Sequence, residues 1–206
     1  VYRDSIKNQK NANLLIMHKK HIITIAGKPG SGKSTTSKTL ATALEHTHFS
    51  SGDFFRAIGK ERGIDVFATN VIAESEVEID HLVDQKLREL GESQDKLVID
   101  SRMAWHWMPY SFKVYLDLDL DLAARRIIGG MDQERRAAED IPDSASEYAL
   151  RLAERLASET KRYMNLYQVN PYDQNNYDLV VDTARNNPEE ARAIILEHYQ
   201  NWIQTN

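Results

Sequence analysis

The stretch GKPGSGKST, Gly27 to Thr35, has the spacing G-x-x-x-x-G-K-[ST]. It constrains the fold more than any other feature, because such a loop works only between a buried strand and the start of a helix. Both flanks are present. HIITIAG (21–27) is short, apolar and β-branched, and the segment from Lys33 to about residue 45 has helical period. Gly27, Gly30 and Gly32, with Ser31 among them, let the backbone turn and aim its N–H groups inward. The helix then offers its N-terminal dipole to an anion. Lys33 is expected to reach the β- and γ-phosphates of a nucleotide. Ser34, followed by Thr35, is expected to place its hydroxyl on Mg²⁺. Nucleotide binding follows from this loop in this context; the reaction type does not.

The rest of the chain repeats the alternation. Strands are expected at 47–50, 96–100, 112–118 and 177–183, with helices at 52–61, 77–91, 121–129, 145–168 and 188–203. Short apolar runs of this kind fit strands buried on both faces. The pattern predicts an α/β doubly wound sheet of about five parallel strands. Ligands in such sheets bind at the carboxyl ends of the strands. At 206 residues the chain is read as one domain. Residues 1–16, ahead of the first Met at position 17, are read as an extension of unassigned role.

A phosphoryl acceptor that is itself a phosphate calls for arginines, whose planar fork grips phosphate oxygens. Two stand after strands. SSGDFFR (50–56) carries Ser51, Asp53 and Arg56. IDSRMAWHW (99–107) carries Asp100 and Arg102. Taken singly, Arg56 is equally a solvated helix residue, and Arg102 beside Asp100 is equally a structural ion pair. Their joint placement at two strand ends beside a phosphate loop favours an acceptor site.

These motifs carry a family resemblance. SSGDFFR resembles the motif after the second strand of nucleoside-monophosphate kinases, while VIDSRMAWHWMP lacks the D-G-F-P-R signature of adenylate kinases. With RLASETKRYMNLYQVNPYDQNNYDLVVDT (155–183), from Met17 onward the chain looks like the compact, short-form cytidylate kinases of archaea and some bacteria. The resemblance implies a single phosphate-loop kinase domain over 17–206 and transfer from ATP, with Mg²⁺, to CMP or dCMP. It implies a monophosphate-binding region at 52–95 and a lid at 127–150. Arg56 and Arg102 would bind the acceptor phosphate, Ser51 and Asp53 would line its pocket, and Asp100 would orient Mg²⁺ or its water shell.

Phosphoryl transfer needs positive charge around a loose transition state. Arg155 and Arg162 are seven apart, two helical turns less about 20°, so they share one face. A solvated charged face would look the same, but the family's lid helix bears such a pair. RRIIGG (125–130) is similar to the family's lid entrance, with Arg126 at its first arginine. Gly130 stands where a second arginine is often found, and Arg135 and Arg136 are the nearest substitutes. The polar stretch 129–144 suits a lid that excludes water.

Other features are read as structural. In LDLDLDL (116–122) the strand is expected to end near Leu118, with Asp119 or Asp121 capping the next helix rather than holding metal with Asp117. The seven histidines show no zinc spacing. Trp105 and Trp107 are read as core or wall. Ile79, Leu82, Val83 and Leu87 predict a packing face, with Asp80 and Asp84 on the other side; by the resemblance either Asp would read a cytosine amino group. The net charge of -5 argues against nonspecific nucleic-acid binding. The absence of cysteine fits a reducing cytoplasm, and no apolar run approaches the roughly 20 residues of a membrane helix. A monomer is expected. The rival readings are a phosphate-loop kinase with another acceptor, and a hydrolysing switch, which has no use for an acceptor clamp.

Overall fold

The computed structural model describes residues 21–61, 77–131 and 141–205. The expected extension over 1–16, with Arg135 and Arg136 of the expected lid, lies outside the described residues. The order is β1 (Ile22–Gly27), α1 (Lys33–Leu44), β2 (Thr47–Ser50), α2 (Ser51–Glu61), α3 (Val77–Ser93), β3 (Leu97–Asp100), α4 (Ala104–Trp107), β4 (Phe112–Asp117), α5 (Leu120–Gly129), α6 (Ala145–Tyr167), β5 (Leu179–Asp182) and α7 (Pro188–Thr205).

The described strands form one parallel sheet in the order β2-β3-β1-β4-β5. Register aligns Ile25 of β1 with Asp100 of β3 on one side and Val114 of β4 on the other. Every residue of β1 is buried, as a central strand covered on both faces must be. Ile23 and Ile25 pack with Leu40, Ile195 and Tyr199 beneath α1 and α7. Ile22 packs the opposite way, with Leu97, Ile99, Leu87 and Met108. Alternation along β1 thus builds two cores from one strand.

Element ends follow from local chemistry. Asp119, not Asp121, caps α5, accepting from the amides of Asp121 and Leu122. Asn187 caps α7 through the amides of Glu189 and Glu190, and Glu190 accepts from the Asn187 amide in return. Gln168 closes α6 in a left-handed conformation, φ 58°. The sheet order puts the strand reversal beside β1. The carboxyl ends of β1 and β3 therefore open onto one crevice.

Candidate active site

The phosphate loop leaves β1 at Gly27, whose φ is 148°. A Cβ there would stand 2.3 Å from the Leu116 carbonyl oxygen of β4, so only glycine lets the loop leave the sheet this closely. Ser31 is buried and ties the loop to itself, its Oγ donating to the Lys28 carbonyl at 2.8 Å. Gly30 and Gly32 follow in left-handed conformations, and Gly32 starts α1. No side chain caps this end and no acidic residue lies in the first turn. The amides of that turn and the helix dipole face the loop as an anion site.

Lys33 curls back over the loop, its Nζ donating to the Lys28 carbonyl at 2.9 Å. Burial, then repulsion from Arg102, pushes its pKa down to about 8. Ser34 donates to Asp100 Oδ2 at 2.6 Å, joining the start of α1 to the end of β3. Thr35 is an exposed first-turn residue whose carbonyl accepts from Thr39 Oγ1. Lys28, which sequence reading passed over, pairs with Asp117 at the end of β4, 2.8 Å away. Burial alone would raise the Asp117 pKa, but Lys28 outweighs it and holds the carboxyl low.

Arg102 stands two residues beyond Asp100. It pairs not with Asp100 but with Glu159 of α6, 2.9 Å from Nε to Oε2. Its own carbonyl accepts from Trp105 Nε1 at 2.8 Å, which anchors the turn after β3. Glu159 is 8 % exposed, receives Arg155 Nε at 3.0 Å, and accepts from the Tyr172 hydroxyl. Burial would raise its pKa, but Arg102 and then Arg155 outweigh that and hold it at about 2.

Beside these residues is a pocket lined by Ser51, Gly52, Phe55, Asp80, Arg102 and Arg162, among others. Ser51 Oγ contacts the Asp100 carbonyl at 3.3 Å. The expected packing face of α3 needs correction here. Ile79 and Leu87 are fully buried, but Leu82 is 37 % exposed, while Asp80 and Asp84 are buried at 7 % and 5 %. The polar side of α3 turns inward because it has partners there. Asp84 accepts from Trp107 Nε1 at 2.8 Å and from the Tyr167 hydroxyl, so its carboxylate is committed to holding the wall. Asp80 faces Arg162 of α6, 3.3 Å from Oδ2 to Nε. Burial raises its pKa, against the pull of Arg162.

Not every expected site residue converges on the pocket. Asp53 and Arg56 pair with each other on the exposed side of α2, both more than half exposed. Arg126 donates to the Thr183 carbonyl beyond β5, at 2.8 Å. Arg155 and Arg162, read as one face, have different partners: Glu159 for the first, Asp80 for the second. Trp105 is buried and Trp107 packs under the Arg88 guanidinium, 3.8 Å from the ring centre. Sequence reading missed Glu159, Tyr172 and Lys28. For Glu159 the one available signal was its position four residues after Arg155, the spacing of a helical ion pair.

Mg²⁺ takes oxygen donors, usually one or two carboxylates or hydroxyls together with substrate phosphates. Ser34 Oγ and Asp100 Oδ2, already adjacent at the phosphate loop, fit that requirement. No cluster of three or more His, Asp or Glu among the described residues offers a self-sufficient metal cage.

A family model described as an AAA domain matches residues 26–140. The chain is 36% identical over 179 residues to a protein named cytidylate kinase from Halobacterium salinarum, covering 85% of this chain and 88% of that one. It is 37% identical to a cytidylate kinase from Natronomonas pharaonis, covering 84% and 86%. Among solved structures, a shikimate kinase from Bacteroides thetaiotaomicron aligns with TM-score 0.60 at 14% identity, over 87% of this chain and 98% of that one. A gluconokinase from Sinorhizobium meliloti aligns with TM-score 0.53 at 16% identity, over 91% and 99%. At such identities these two speak to the fold alone. No described helix is long and apolar enough to cross a membrane.

Proposed function

The chain belongs to the cytidylate kinase family, and on that premise we propose that this site transfers the γ-phosphoryl group of ATP to CMP or dCMP, giving the diphosphate. One observation carries the reading. The turn after β3 binds the phosphate loop through Asp100 and, two residues on, walls the neighbouring pocket with Arg102. Donor and acceptor phosphates would therefore meet across a single rigid turn.

In this reading the backbone N–H groups of the loop from Gly27 to Thr35, Pro29 excepted, and the Lys33 ammonium hold the β- and γ-phosphates. Ser34 and Asp100 hold Mg²⁺, which when bound neutralises charge on the phosphate oxygens. Arg102 grips the acceptor phosphate, with Ser51 beside it. No general base is required, because that phosphate is already anionic. Arg155, on α6, is the arginine best placed to join the phosphates from the lid side, and Arg126 braces the lid entrance against β5. Arg56 and Asp53 part from each other to reach the acceptor once it enters. The regions 52–95 and 127–150 would close over the two substrates and keep water from the phosphoryl group. A cytoplasmic enzyme is part of this proposal, supported by its nucleotide substrates and by a cysteine-free chain that suits a reducing compartment.

The base preference follows from Asp80 and Arg162. Cytosine presents an amino donor next to a ring-nitrogen acceptor, which a carboxylate beside a guanidinium matches. Uracil presents a carbonyl and an N–H in those positions and reverses both. Asp84 already accepts from Trp107 and Tyr167, whereas Asp80 Oδ2 accepts no hydrogen bond from the described residues, which favours Asp80 as the reader.

The test is an acceptor panel of CMP, dCMP, UMP, AMP and GMP with ATP and Mg²⁺. Selective turnover of CMP or dCMP supports the reading. Equal use of UMP, or ATP hydrolysis with no acceptor dependence, overturns it.

A further inference from the structure

Glu159 joins three parts of the site. Both arginines meet it through Nε, Arg102 at 2.9 Å and Arg155 at 3.0 Å, and Tyr172 donates to the same carboxylate from the segment leading to β5. Arg102 belongs to the turn that Ser34 and Asp100 lock to the phosphate loop. Arg155 belongs to α6. Two guanidiniums this close repel each other, and only an ionised group between them holds both in place. Lys33 adds to the crowding: Arg102 and Arg155 both lower its pKa, and Glu159 opposes them. As a source of stability the arrangement is weak, since desolvating a buried carboxylate and its partners consumes most of the attraction. Its geometric consequence is definite. Arg155 donates its Nε–H to Oε1 of Glu159 and Arg102 forms an ion pair with Oε2, so one carboxylate holds a guanidinium on each of its oxygens.

We propose that Glu159 is a positioning residue that fastens Arg102 and Arg155 into one rigid unit, so that the acceptor clamp and the α6 arginine present themselves to the reacting phosphates together. This deepens the kinase reading and rests on it. Glu159 lines the same pocket, and the role assigned to it is to hold the two arginines rather than to bind phosphate, since a carboxylate repels that anion. Its effect is on preorganisation, where a misplacement of about 1 Å costs on the order of 10²-fold in rate.

The test compares wild type, Glu159→Gln and Glu159→Asp, each alone and carrying Arg102→Lys, Arg155→Lys or both. Glu159→Gln keeps the volume and removes the charge. It is expected to lower kcat by at least about tenfold, while ATP affinity stays within about threefold. Glu159→Asp is expected to recover part of that loss. In wild type the two arginine substitutions together should cost less than the product of the singles. In Glu159→Gln their effects should multiply as independent changes. Unchanged kcat in folded Glu159→Gln, or the same coupling in both backgrounds, overturns the proposal.

A second readout does not depend on the acceptor. The Nε–Hε resonance of Arg155, in the ligand-free protein, should exchange slowly in wild type, where it donates to Glu159, and speed up in Glu159→Gln. Arg102→Lys should perturb the Arg155 signal only while Glu159 is present. If CMP is not phosphorylated, the kinase reading falls, while this cross-effect still decides the linkage: its presence supports the proposal and its absence removes it.

Discussion

Ser34 Oγ lies 2.6 Å from Asp100 Oδ2, so a hydroxyl at the start of α1 is bonded to a carboxylate at the end of β3. Sixty-six positions separate them in the chain, yet the parallel register of β1 on β3 delivers both to one side of one crevice. The fold thereby brings the two donors expected for Mg²⁺ together.

Asp100→Asn keeps a hydrogen-bonding partner for Ser34 and removes the charge. We expect kcat with CMP to fall by about 10–150-fold, the cost of one charge-assisted contact of roughly 1.5–3 kcal/mol. The Mg²⁺ concentration needed for half-maximal rate should rise. Steady-state rates across a Mg²⁺ titration check both, and an unchanged Mg²⁺ requirement would assign Asp100 to structure alone.

Lys33, at a pKa of about 8, predicts a pH dependence for ATP binding. Burial and Arg102 disfavour its charged form in the free protein, whereas bound phosphate favours it. Binding therefore takes up a proton above about pH 8, and affinity should fall there by up to about tenfold per pH unit. Below about pH 7 this source of dependence vanishes. Calorimetry in buffers of different ionisation enthalpy reads the uptake directly; none at pH 9 would mean that Lys33 is already charged.

Asp80 and Asp84 should separate on mutation. Asp80→Asn lets the side chain donate as well as accept, so the CMP/UMP ratio of kcat/KM should drop by at least about tenfold, at the scale of one mismatched polar contact. Asp84→Asn keeps one acceptor oxygen and puts an NH₂ where the other stood, so Trp107 or Tyr167 loses its acceptor and the thermal midpoint should fall with the CMP/UMP ratio held. The reverse pattern would exchange the two roles.

Gly27→Ala should be among the most damaging small substitutions in the chain. Its Cβ would meet the Leu116 carbonyl at 2.3 Å, and β4 backbone cannot yield as a flexible side chain would. We expect loss of at least about 3 kcal/mol or failure to fold, in the range of severe strain and overpacking. Gly129→Ala, with nothing within 4 Å of the added carbon, is the control that should fold normally.

What the sequence determined by itself is whatever short-range physics controls. The G-x-x-x-x-G-K-[ST] spacing, the β-branched runs and the helical periods place every described strand, and every described α-helix except the single turn α4, to within a residue or two, because dihedral preference, capping and face burial depend on neighbours along the chain. The residues at strand ends could be nominated in the same way, since an α/β sheet binds at those ends. Partnership could not. Arg102 beside Asp100 suggested a pair, and the fold gives Arg102 to Glu159 and Asp100 to Ser34. Arg155 and Arg162 suggested one shared duty, and α6 divides them between Glu159 and Asp80. Asp80 and Asp84 stood opposite the expected packing face of α3, and both are buried. Each of these turns on which charges desolvation brings together. That depends on how α3 and α6 pack around the turn after β3, and only the assembled tertiary structure decides it.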